Sequence, residues 1–144
     1  MNSNADHKPR VYIFSAYQAT KGDHFNHMNH CDLSADLSLI DNPWQECQGS
    51  YKGYQEESFI VTGITAGKAV RALARLYKQE TYLVATEHNR EAYLVDCETG
   101  YHTHVGRLEY AGTTEPDCDA WTLVNGSYFV TRPYGVLQDL PEGF

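Results

Sequence analysis

Absences narrow the field first. No run of 18 apolar residues occurs, so no membrane-spanning helix is expected. The opening MNSNADHKPR has no apolar core of the kind a secretory signal requires, so a cytoplasmic protein is expected. Basic residues are scarce: 11 Lys and Arg stand against 19 Asp and Glu, a net charge of −8. Such a surface repels phosphate backbones, so nucleic acid is not an expected partner. It suits a cationic small molecule, or simply solubility. None of the four cysteines (Cys31, Cys47, Cys97, Cys118) forms a C-x-x-C pair. A zinc site is therefore not suggested, and reduced thiols are the default.

Familiar catalytic signatures are also missing. GITAGKAV has a Gly-x-x-x-Gly-Lys core, but a phosphate-binding loop needs one more residue in the gap and Ser or Thr after the Lys, where Ala69 stands. There is no G-x-S-x-G elbow. His24, His27, His30 and Cys31 cluster, with His27 and Cys31 one helical turn apart, yet solvated histidines at a helix start explain them without a metal. His102 and His104 flank Thr103 and would face one way in a strand. Neither a metal nor a cofactor is expected.

What is present suits one globular domain over 10–144 behind a polar tail at 1–9. A chain of 144 residues buries about two-thirds of its unfolded surface. VYIFSAY (11–17) is β-branched and aromatic, a first strand. A helix over 24–41 follows, capped by Thr20 or Asp23, with Leu33, Leu37 and Ile40 on one side and Asn26, Asn29 and His30 along the same side. Asn42-Pro43 stops it. Strands are expected over 44–52 and 56–63, joined near Gly53. A second helix over 66–79, capped by Thr65, carries Ala69, Val70, Leu73, Leu76 and Tyr77 as its stripe. Strands over 81–87 and 91–97 come next, then an extended 101–110. Asn125-Gly126 joins a last hairpin through a type I′ turn. The order β-α-β-β-α-β predicts a ferredoxin-like α+β sheet with both helices on one face and extra C-terminal strands. The other face is then left for a ligand or an oligomer partner.

One segment gathers polar chemistry. WQECQGSYKGYQEESFIV places Glu46, Tyr51, Tyr54, Glu56 and Glu57 around a tight connection. In a strand Glu56 and Glu57 face opposite sides, so one can address a pocket while the other meets solvent. Acidic turn residues with tyrosines covering an edge are the plain alternative.

FSAY (14–17), the helix with Asn26, Leu33 and Leu37, GSYK (49–52), the Glu56–Glu57 pair before FIV, AGKAVRALARLYKQE and GYHTHVGRLEY occur in an order and spacing that resemble the phage-encoded S-adenosylmethionine-degrading enzymes. These were first described as hydrolases and are now regarded as lyases. The likeness covers most of residues 11–110. It implies a homotrimer of PII-like fold with active sites between subunits, and a role in blunting host methylation or restriction. It also implies cleavage of S-adenosylmethionine to methylthioadenosine and homoserine lactone, with no added cofactor. Carried over, the catalytic residues are Glu57, gripping the substrate ammonium, and Tyr51. Glu56 and Tyr54 are alternatives, because the connection after Tyr51 looks shorter here. Ser15, Ala16 and Tyr17 would contact adenosine. The rival readings are a true hydrolase giving homoserine, a non-catalytic adenine-nucleotide-binding module using Lys52, Lys68 and Arg71, and an acidic anti-restriction decoy.

Overall fold

The computed structural model describes residues 10–51, 54–87, 90–118 and 120–132. The tail at 1–9, Lys52, Gly53, the segment from 133 onward and the side chain of Tyr51 lie outside the described residues. Ten elements follow in order: β1 (Arg10–Phe14), α1 (Asp23–Leu37), β2 (Trp44–Tyr51), β3 (Tyr54–Thr62), α2 (Gly67–Leu76), β4 (Thr81–Thr86), β5 (Glu91–Asp96), β6 (His102–Tyr110), β7 (Trp121–Val124) and β8 (Ser127–Arg132). Among the described residues no helix is long and apolar enough to cross a membrane.

The expected ferredoxin-like, PII-like open sheet is not what forms. The eight strands close into an antiparallel barrel in the order β1-β3-β2-β7-β8-β6-β5-β4, with β4 returning to β1. The C-terminal strands are not an appendage. β7 pairs with β2, β8 pairs with β6, and together with β5 they bridge the two edges that an open sheet would leave. Closure removes the unpaired backbone groups of both edges. It also removes the bare sheet face that suggested an oligomer, because that face becomes the barrel interior. Ile13, Leu83 and Leu94, together with Leu108 and Phe129 from the C-terminal strands, line an interior cavity of about 350 Å³.

The helices lie outside this barrel, over β1, β3, β4 and the end of β5. Tyr12 and Phe14, Phe59 and Val61, Tyr82 and Val84 alternate with the inward residues and meet Leu33 and Leu37 of α1 and Val70 and Ala74 of α2. Strands covered on both faces read as unbroken apolar runs, which explains YIF, FIV and YLVA. Leu33 and Leu37 are fully buried, each worth about 1.5–3 kcal/mol of transfer free energy.

Local details differ from expectation at the ends. α1 stops at Leu37, and its N-cap position is Gly22, without a side-chain cap from Thr20 or Asp23. Ala66, not Thr65, is the N-cap position of α2, again with no side-chain bond. Leu76 leaves the expected stripe and is 64% exposed, while Ala74 takes the buried position, because the face that meets the sheet runs through Ala66, Val70, Ala74 and Tyr77. The β7–β8 hairpin turns on Asn125 (φ 51°) and Gly126 (φ 79°), the paired positive angles a type I′ turn requires.

Candidate active site

β1 and β3 run antiparallel with Phe14 opposite Phe59, so the chain leaving β1 lies against the start of β3. Three elements fix that exit. Ser15 Oγ donates to the Glu57 carbonyl (2.8 Å) and accepts the Tyr17 N–H (2.9 Å). Asn26, on the first turn of α1, accepts from the Gln18 N–H (2.8 Å) and donates to the Gln18 carbonyl (3.1 Å). Gln79, just past α2, donates to the Tyr17 carbonyl (2.8 Å). Ser15 and Ala16 are buried, and Tyr17 is aimed by this frame.

Glu57 shares the helix-side face of β3 with Phe59 and Val61. The Tyr17 hydroxyl donates to its Oε2 at 3.0 Å, and His27 and His30 approach the same oxygen at 3.8 and 3.9 Å. Its Oε1 has no hydrogen-bond partner among the described residues, and the side chain is 45% exposed. Burial, followed by the bond to Glu57, pushes the Tyr17 phenol up to about 12, so it stays a donor at neutral pH.

His30 is the hub beneath this carboxylate. Its ring stacks on Phe59 at 4.3 Å and meets Tyr17 edge-on. Its Nε2 lies 2.7 Å from Glu46 Oε1. An ionised carboxylate only accepts, so that nitrogen carries the proton. The other ring nitrogen, Nδ1, is buried without a hydrogen-bond partner among the described residues. Glu46 and Glu57 thus reach from β2 and β3 over one histidine, walling a cleft of about 310 Å³ with Gln48 and Leu123. Cys47 also lines it, but burial pushes its thiol up to about 12, which disqualifies it as a thiolate nucleophile.

Glu56 points the other way, as strand geometry requires. It lines a cleft of about 470 Å³ with Ser15, Tyr17, Gln79 and Thr81. With Ile13, Leu83 and Leu94 it also borders the barrel interior. Burial raises its carboxyl above the ordinary value.

Of the residues singled out in the sequence, Ser15, Ala16, Tyr17 and Glu57 come together, and Glu56 stands on the opposite face of the same strand. Tyr54 is exposed at the hairpin mouth and pairs through its backbone with Tyr51, whose side chain is outside the described residues. His30, Glu46 and Gln79 had no assigned role. One signal existed: Asn26 and His30 precede Leu33 and Leu37 on a single buried stripe, and polar residues on such a stripe need polar partners. His27 Nε2 lies 3.7 Å from Cys31 Sγ, and His102 and His104 flank Tyr93. Among the described residues no group of three or more His, Cys, Asp and Glu is placed to hold a metal ion.

No curated protein matches the chain. The family model described as the S-adenosylmethionine lyase family matches residues 12–132, which takes in the barrel from within β1 to the end of β8, both helices and every residue of this site. The chain therefore belongs to the S-adenosylmethionine lyase family, an enzyme that degrades S-adenosylmethionine by lyase cleavage.

Proposed function

We propose that the enzyme folds S-adenosylmethionine at the exit of β1 so that the substrate's own carboxylate attacks its γ-carbon. A C–O bond forms, the C–S bond breaks and its electrons go to sulfur. Methylthioadenosine leaves as a neutral thioether and homoserine lactone is the second product. Such intramolecular attack can gain an effective molarity on the order of 10⁵ M, about 7 kcal/mol, from positioning alone. The chain then needs to supply no nucleophile, metal or cofactor.

The observation that carries this reading is the half-satisfied carboxylate of Glu57, one oxygen held by Tyr17 and the other open. The substrate ammonium keeps its charge throughout the reaction, so gripping it orients the methionine arm without penalising the transition state. The sulfonium loses its charge as the ring closes. A fully ionised carboxylate beside it would stabilise the ground state more than the transition state. Glu56, on the opposite face of β3, is the alternative to Glu57, through the cleft it shares with Ser15 and Tyr17. Tyr51 would place its hydroxyl near the reacting arm, with Tyr54 as the alternative. Of the Ser15, Ala16 and Tyr17 segment, the Tyr17 side chain would contact adenosine, with Ser15 and Ala16 buried behind it and holding it in place. Phe25 and Met28, exposed on α1 beside His27, support a partner subunit covering the cleft, and a homotrimer is the assembly we favour. The resemblance to phage enzymes extends the reading to an anti-restriction role in the host cytoplasm.

NMR of purified protein with S-adenosylmethionine tests this. Methylthioadenosine with lactone appearing before homoserine is the expected result. Homoserine appearing first means water attacks, and unchanged substrate removes the proposal. Tyr51→Phe should lower turnover strongly while leaving thermal unfolding unchanged; wild-type turnover there removes Tyr51 from the site.

A further inference from the structure

The start of β1 has a different chemistry from its exit. Arg10 opens the strand, Lys68 and Arg71 stand on α2, and all three face a groove of about 540 Å³. No acidic residue lines this groove, although the chain carries 19. Arg71 is fixed, its Nε donating to the Cys97 carbonyl (3.0 Å) and its Nη2 to the Glu98 carbonyl (2.8 Å). The side chains of Arg10 and Lys68 make no ion pair or hydrogen bond with the described residues. Two tyrosines form the base. The rings of Tyr12 and Tyr82 are buried, but their hydroxyls open into the groove and have no hydrogen-bond partner among the described residues. Two hydroxyls standing open beside three cationic side chains can donate to the oxygens of an anionic guest. Gly67 keeps the Tyr12 hydroxyl uncovered, since a β-carbon there would sit 3.0 Å from it. Val84 and Val95 add apolar surface, and the Tyr93 ring meets His102 edge-on at 6.2 Å.

We propose that this groove binds a ring-bearing phosphomonoester of the nucleoside monophosphate class. Arg10, Lys68 and Arg71 balance the dianion, the tyrosine hydroxyls donate to its oxygens, and the apolar walls take the ring. The volume lies within the range of about 300–1,000 Å³ usual for small-molecule sites. None of these residues belongs to the lyase site proposed above.

Calorimetric titration of the full chain with uridine monophosphate, uridine and inorganic phosphate tests the proposal, and the absence of adenine keeps the probes away from the substrate cleft. Saturable binding of uridine monophosphate that weakens with salt is expected, with phosphate weaker and uridine weaker still. Arg10→Gln, Lys68→Gln and Tyr12→Phe should each weaken it roughly tenfold, the size of one hydrogen bond to a charged group. S-adenosylmethionine turnover should be unchanged in Arg10→Gln and Lys68→Gln. No saturable binding, equal binding of uridine, or phosphate binding as tightly as the nucleotide overturns it. So does wild-type affinity in the double Arg10→Gln, Lys68→Gln variant with unaltered thermal unfolding.

Discussion

The first strand begins among cations and ends among carboxylates. At its start, Arg10, Lys68 and Arg71 share a groove with unmatched tyrosine hydroxyls. At its exit, Glu46 and Glu57 bracket His30, and Glu56 stands on the reverse face. Both regions lean on the same helices and the same strands. They differ in how their polar groups are satisfied. The exit is wired internally, by Tyr17, Asn26, His30 and Gln79, and leaves one carboxylate oxygen for a guest. The start holds one guanidinium by carbonyls and leaves its hydroxyls without protein partners. An internally braced site suits chemistry, where geometry must not yield. A site that leaves donors open suits binding.

Substitutions can separate the two ends. The largest effect is expected from Glu57→Gln, which removes the charge opposite the substrate ammonium while preserving shape. kcat/KM for S-adenosylmethionine should fall about 10²-fold or more, and uridine monophosphate binding should be untouched. An equal loss at both ends would show that the two regions are not independent. His30→Ala comes next, for stability. It removes a buried ring stacked on Phe59 and leaves Glu46 without its partner, so unfolding free energy should drop by about 2–4 kcal/mol in denaturant titration. A drop below 1 kcal/mol would mean the ring is not packed as described.

Tyr17→Phe should cost turnover roughly tenfold, by freeing the Glu57 carboxylate from its one close donor. Full activity in that variant would place the orienting role elsewhere. The smallest effect is expected from Glu56→Gln, with most turnover retained and stability at neutral pH equal or higher. The sign follows from burial. The raised carboxyl of Glu56 binds its proton more tightly in the folded than in the unfolded chain. Its contribution is therefore favourable at low pH and is lost as pH rises from the ordinary value of 4.5 through the raised one. Unfolding of wild type and Glu56→Gln across that range should diverge as pH rises. Parallel curves would show that Glu56 is better hydrated than its position suggests.

Much of this was legible in the sequence. Most of the strands correspond to runs rich in β-branched or aromatic residues, β2 (WQECQGSY) being the plainest exception, and the Asn125-Gly126 turn follows from the two positive φ angles those residues tolerate. The opposite orientation of Glu56 and Glu57 follows from the two-residue period of a strand. The polar start and apolar end of the α1 stripe were readable too, as Asn26, His30, Leu33 and Leu37. Closure of the sheet was not. The pairings of β2 with β7 and of β6 with β8 join segments far apart in the chain, and alternation cannot choose among partners for an edge. Nor could spacing tell which Glu would meet Tyr17.

The local code therefore determined the elements, their turns and the face each side chain takes, because backbone geometry and periodicity act over a few residues. Tertiary structure alone decided that the bare sheet face would become a barrel interior. It also decided that Glu46, His30 and Glu57 would converge, and that cations and acids would separate along one strand. Those outcomes depend on strands finding distant partners, where burial and edge pairing, not local preference, select the arrangement.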